Sequence, residues 1–152
     1  MSSKYSKKIL LTTIFLVLLS NDVFAKQFIS IKNVTNVANL RAGPGVWYPI
    51  KWILKSPDLP LRLIEEEKKF SKVELHDGTI GWLSKTLISK KVNLIVLKDT
   101  NLSNKNGLVL AKVLKDFIIK THDCNIKNVE LCKVKVAKKF GYIEKKYLWG
   151  YN

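Results

Sequence analysis

From Phe28 onward the chain reads as short runs of alternating apolar and polar residues. "FISIK" (28–32), "NVANLR" (36–41), "PIKWIL" (49–54) and "LRLIE" (61–65) come first. "FSKVELH" (70–76) and "TIGWLS" (79–84) follow. A two-residue period puts successive side chains on opposite faces of a strand, so these runs predict β-strands. The breaks between them carry turn chemistry. "AGPG" follows Arg41, "SPDLP" spans 56–60, "EEKK" at 66–69 is a charged tip, and Asp77-Gly78 is a strong hairpin signal. No apolar stripe of helical period has useful length. A meander of short strands at this spacing predicts a small barrel or sandwich, so the expected fold class is all-β.

The pattern then returns in fainter form. "GWLSKTL" (81–87) matches "GYIEKKYL" (141–148), and "FSKVEL" (70–75) matches "LCKVKV" (131–136). "LPLRLIE" (59–65) is aligned with "KDFIIKT" (115–121), and "NLRAGPG" (39–45) with "NLSNKNG" (101–107). Two units of about 60 residues are expected, residues 26–90 and 91–152, joined by the short segment "SKKV". A unit of that size buries only about 60% of its unfolded surface and is marginal alone. The two are therefore expected to pack together.

The start of the chain departs from this pattern. Lys4, Lys7 and Lys8 precede an apolar run from Ile9 to Leu19, and Val23-Phe24-Ala25 follows a short polar step. This is the layout of a secretory signal peptide, cut after Ala25. The apolar run falls short of the ~20 residues that a spanning helix needs. Removing residues 1–25 leaves 127 residues and lowers the net charge from +15 to +13. Such a charge suits an acidic partner, whether nucleic acid, anionic lipid or a cell-wall polymer. Only Arg41 and Arg62 are arginines, however, and the rest of the positive charge is lysine. Arginine is the residue suited to bidentate phosphate contacts, so the charge reads as diffuse. Export also separates the protein from intracellular nucleic acid. No nucleic-acid partner is expected, and association with anionic surfaces would be weak.

The candidate chemistry is sparse. Cys124 and Cys132 are the only cysteines, and His76 and His122 the only histidines. In an exported chain the cysteine pair favours a disulfide across a seven-residue loop. A zinc site would need four ligands, and His122 with the two cysteines supplies three. Cys124 with His122 is the one nucleophile–base pairing, but their closeness in sequence does not by itself align them for catalysis. Glu65, Glu66 and Glu67 beside Lys68 and Lys69 read as a solvated turn rather than a pair of catalytic carboxylates. The "RAGPG" segment lacks the lysine and following helix of a phosphate loop. The chain is read as a non-enzyme without metal or cofactor.

The stretch "NLRAGPGVWYPI" (39–50) resembles the opening of a bacterial SH3-like domain, and "KVELHDGTIGWL" (72–83) resembles its closing hairpin. "YIEKKYLWGYN" (142–152) is similar to the close of a second copy, and Cys124 and Cys132 resemble a cysteine pair of exported proteobacterial members. The resemblance covers residues 28–151 and is weaker in the second unit, where Ser103 replaces the arginine. It implies two tandem small SH3-like β-barrels behind a signal peptide. It also implies a non-catalytic binding module of the envelope, placed in the periplasm, with a cell-wall peptide or an envelope protein as partner. The runner-up is a structural or interaction protein held electrostatically at a membrane or by a protein.

The best candidate site is Arg41, Trp47 and Tyr48. Two glycines able to take positive φ and a stiffening proline would gather these side chains for ion pairing plus flat apolar contact. Arg41 could equally tie the loop to a carbonyl. Trp52 and Trp82 lie in strand-like runs and are expected in the core, and Trp149 is expected to close the second unit. The exported protein is predicted to begin at Lys26. N-terminal sequencing checks this, and a retained Met1 refutes it.

Overall fold

A computed structural model describes residues 27–124 and 130–151. The leader reading falls on residues 1–25, outside the described residues. The described residues are all-β, with two one-turn 3-10 helices among them, at Lys85–Leu87 and Lys145–Tyr147. The first half runs β1 (Gln27–Ile31), β2 (Ala38–Arg41), β3 (Ile50–Leu54), β4 (Pro60–Glu66), β5 (Phe70–Glu74), β6 (Ile80–Ser84) and β7 (Ile88–Ser89). These form one antiparallel sheet in the order β3-β2-β6-β5-β4-β1-β7. The sequence placed the strands from Phe28 to Ser84 well, because each alternating run ends at a turn signal.

The second half contains β8 (Leu94–Val96), β9 (Thr100–Ser103), β10 (Val109–Val113), β11 (Ile118–Ile119), β12 (Thr121–Asp123), β13 (Leu131–Val136), β14 (Lys139–Glu144) and β15 (Leu148–Trp149). It splits into a five-stranded sheet, β10-β9-β14-β13-β12, and a three-stranded sheet, β11-β8-β15. Read end to end, this order follows that of the first half, with a break where β4 would be continuous.

Specific bonds recur as well. Lys32 N–H donates to Leu87 O and Leu97 N–H to Tyr147 O, both at 2.9 Å. Ile31 N–H donates to Leu59 O at 3.0 Å and Val96 N–H to Phe117 O at 3.1 Å. The last pair corrects the alignment read from sequence, because Leu59 corresponds to Phe117 rather than to Lys115. Asp58 and Asp116, one residue earlier, both take positive φ, at 63° and 65°. Two acidic turn residues in the left-handed region carry the true register, and apolar matching alone slid past it by two residues.

Gly81 and Gly141 show why the Gly-aromatic motif repeats. A Cβ on Gly81 would lie 2.6 Å from Leu40 Cγ and 3.0 Å from Arg41 O. A Cβ on Gly141 would lie 2.8 Å from Leu102 Cγ and from Ser103 O. Each glycine lets one strand close onto the leucine of its neighbour, and any side chain there would force them apart.

Two apolar cores result. Ile29, Ile31, Leu40, Leu61, Val73 and Leu83 build the first, and Leu94, Val96, Leu102, Ile119, Val134 and Ile143 build the second. The three-stranded sheet stands between them. Ile95 belongs to the first core, and Ile118 and Trp149 pack against it. Leu94, Val96, Ile119 and Leu148 belong to the second. The register makes this a consequence of alternation, since Ile95 is opposite both Ile118 and Trp149, while Leu94 is opposite Ile119 and Val96 opposite Leu148. Trp149 therefore does not simply close the second half. Its ring meets Phe28 edge-on at a centroid distance of 4.9 Å.

Polar ties line the same junction. Asn93 Nδ2 donates to Asp58 O at 2.8 Å, His122 Nε2 donates to Val92 O at 2.9 Å, and Lys120 pairs with Asp58 at 2.5 Å. Gly150, at φ +111°, passes so close to Asn93 O that a Cβ there would lie 2.3 Å away.

Cys124 and Cys132 form a disulfide, as expected, and both are buried in the second core. It joins the end of β12 to β13. Among the described residues no group of three or more His, Cys, Asp or Glu is placed to hold a metal.

Two predictions follow from this packing. Ile95→Ala should cost about 2–4 kcal/mol, and both halves should still melt in one transition because they share that sheet. Calorimetry checks this, and two separated transitions would contradict it. Reducing the disulfide should cost about 2–3 kcal/mol by loop-closure entropy and lower the melting temperature. An unchanged melt after verified reduction would remove that contribution.

Candidate functional site

The loop Ala42–Pro49 joins β2 to β3, and Ala42 N–H closes its base by donating to Pro49 O at 3.0 Å. Within it Gly45 N–H donates to Gly43 O at 2.9 Å, and Tyr48 N–H to Gly45 O at 3.3 Å. Arg41 leaves β2 at a register shift between Leu40 and Arg41 and turns its guanidinium into the loop. Nη1 donates to Val46 O and to Tyr48 O, both at 2.8 Å. Of the two roles open to Arg41 in the sequence, this is the tie to backbone carbonyls.

Gly43 and Gly45 serve differently from expectation. Neither lies in the positive-φ region, where the described glycines are Gly78, Gly107 and Gly150. Their lack of a Cβ makes room for rings instead. A Cβ on Gly43 would lie 2.5 Å from the Tyr48 ring, and one on Gly45 would lie 2.5 Å from the Trp47 ring. Each aromatic folds back over a glycine, and the ring centroids stand 6.0 Å apart.

The result is a fixed loop with an outward aromatic. Trp47 is 79% exposed and Tyr48 38%. Trp47, Val46 and Pro44 face the hairpin between β4 and β5 across a groove of about 460 Å³, with Lys68, Lys69 and Phe70 on the other side. The hairpin tip read as a plain solvated turn is thus one wall of the groove. Neighbouring charges are paired locally, Lys85 with Glu66 at 3.3 Å and Lys72 with Glu65 at 3.7 Å. Lys68 and Lys69 make no ion pair among the described residues. The groove therefore combines an apolar wall with the Lys68 and Lys69 ammonium groups and, next to them, the Glu67 carboxylate. Phe70, Lys68 and Lys69 escaped the sequence reading because they come from a different hairpin.

Trp52 also departs from expectation. It is 58% exposed rather than in the core. The strand β3 is outermost in its sheet and pairs only with β2, so it has no second neighbour to cover it. Trp82, in the interior strand β6, is half-buried, with the Lys72 ammonium 5.9 Å from its ring.

The second half builds its corresponding loop by other means. Ser103 stands opposite Tyr142, as Arg41 stands opposite Trp82. The connection is shorter, with Asn104 N–H donating to Leu108 O at 2.9 Å. The Asn104 side chain replaces the guanidinium tie: its Oδ1 accepts from the N–H groups of Asn106 and Leu108, each at 2.9 Å. No exposed tryptophan results. The one cysteine–histidine pairing also loses its chemistry, because the Cys124 sulfur is bonded to Cys132 and His122 is engaged with Val92.

No curated protein sequence matches the chain. Among solved structures, NlpC1 from Trichomonas vaginalis is 15% identical, covering 85% of this chain and 47% of its own, with a TM-score of 0.39. NlpC2 from Trichomonas vaginalis is 14% identical, covering 84% of this chain and 49% of its own, with a TM-score of 0.38. The chain thus spans about half the length of these two structures. Residues 34–90, which include both walls of the groove, match the family model of the bacterial SH3 domain, and that match supports a domain of this kind in the first half of the chain.

Proposed function

We propose that this protein is an exported, non-catalytic binding module of the bacterial envelope that takes a peptide in the groove beside Trp47. On this reading residues 91–152 are a second, divergent copy of the bacterial SH3 domain. The repeated strand order and the paired glycines Gly81 and Gly141 support that view. The disulfide fits an oxidising compartment such as the periplasm.

The observation that carries the proposal is the pre-set exposure of Trp47. An aromatic left open on a mobile loop would lose conformational freedom when it bound. Here Arg41 and Gly45 fix the loop beforehand, so little ordering remains for the ligand to supply. A flat apolar ring offers large contact area, and the ammonium groups of Lys68 and Lys69 suit a carboxylate at the rim. Cell-wall stem peptides have this chemistry, being short, small-sided and rich in carboxylates. Arg41 acts through Trp47 and Tyr48 by holding the loop.

A pull-down on purified peptidoglycan tests this. Trp47→Ala/Tyr48→Ala should lower retention about tenfold or more, with the melting temperature nearly unchanged because both side chains lie on the surface. Equal retention of variant and wild type would dismiss the site. Retention that collapses with salt in both proteins alike would instead favour lysine-driven association with an anionic surface.

A further inference from the structure

The second half carries a larger and more polar cleft than the one beside Trp47. Its volume is about 560 Å³, and it opens between β9, the turn after it, and the tyrosines Tyr142 and Tyr147. Ser103 in place of the arginine, together with the shorter loop, leaves this space open. The carboxylates at its edge are already engaged. Asp99 accepts from Lys115 N–H at 3.0 Å and pairs with Lys112 at 3.2 Å. The first of these contacts, followed by the second, holds its carboxyl below the usual range. Glu144 is paired with Lys146.

The cations are not neutralised in this way. Lys98 is held over the Tyr147 ring, 4.3 Å from its centroid, by a face that orients an ammonium without cancelling its charge. Lys105 lines the same cleft, and neither lysine has an ion-pair partner among the described residues. Asn101, Ser103 and Tyr142 also line it, and none uses its side chain in a hydrogen bond among the described residues. The cleft therefore offers two positive charges, an aromatic ring and several hydrogen-bonding groups with open valences, in a lining that mixes polar and apolar surface.

We propose that this cleft is a second binding site, of separate chemistry, for a carboxylate-bearing saccharide. A polyol satisfies Asn101, Ser103 and the Tyr142 hydroxyl, a sugar ring can lie against the Tyr142 ring, and the carboxylate meets Lys98 and Lys105. The volume suits one or two sugar rings. An apolar peptide would leave those polar groups unpaired at a cost. The site does not depend on the groove beside Trp47.

Amide-resolved NMR titration of the exported chain distinguishes the outcomes. N-acetylmuramic acid should give saturable shifts at Asn101, Ser103 and Tyr142. Its methyl ester, and the Lys98→Gln/Lys105→Gln variant, should bind about tenfold more weakly, whereas Trp47→Ala/Tyr48→Ala should bind normally. Absence of saturable shifts in the cleft would overturn the proposal. So would equal affinity for the methyl ester, equal response to acetate or phosphate, or tighter binding of a short acidic peptide at the same residues.

Discussion

The strand β8 is buried on both faces, and the rest of the molecule is arranged around that constraint. Its three residues send Leu94 and Val96 into one core and Ile95 into the other. Neighbouring β11 and β15 divide in the same way, so a single three-stranded sheet serves as a wall of both cores. Each aliphatic side chain fully buried there contributes about 1.5–3 kcal/mol of transfer free energy. Two units that would be marginal separately thereby gain a shared interior. The polar contacts at the seam, Asn93 to Asp58 and His122 to Val92, occupy backbone carbonyls that would otherwise lie at the junction without partners.

Sharing one wall frees the opposite ends of the two halves to differ. In the first half a guanidinium and two glycines hold an eight-residue loop so that Trp47 faces solvent. In the second half an asparagine side chain holds a five-residue loop, and the space left over is polar. The framework beneath is the same in both places, with Leu40 under Gly81 and Leu102 under Gly141. Loop length and the residue that ties the loop decide whether an apolar groove or a hydrophilic cleft forms. Such division of labour between a conserved set of strands and variable connections is the usual way in which small β-folds acquire binding sites.

Much of the framework could be read from the chain. Strands from Phe28 to Ser84 follow from alternation and turn residues, and the disulfide was legible as the pairing of the chain's two cysteines. The two-residue slip at Leu59 arose because β4 and β11 share apolar character but little else, and the marker of register is the backbone conformation of Asp58 and Asp116. Trp52 was misplaced because alternation tells which residues share a face, not whether a neighbouring strand covers that face. The shared wall left a trace in "LIVL" (94–97), an uninterrupted apolar run of the kind that marks a strand buried on both sides. Lys68, Lys69 and Phe70 left no trace as site residues, since their partner Trp47 lies more than 20 positions away.

The all-β class, the positions of most first-half turns and the residues of the glycine loop are legible in the order of residues, because local sterics and a two-residue period act over a few positions. Packing between remote segments makes Arg41 a tie, leaves Trp47 an open surface, places Ile95 in the first core and sets Trp149 against that core. Those outcomes depend on which strand lies beside which, and on how closely two hairpins approach. They are set by distances between segments remote in the chain, where local pattern has no reach.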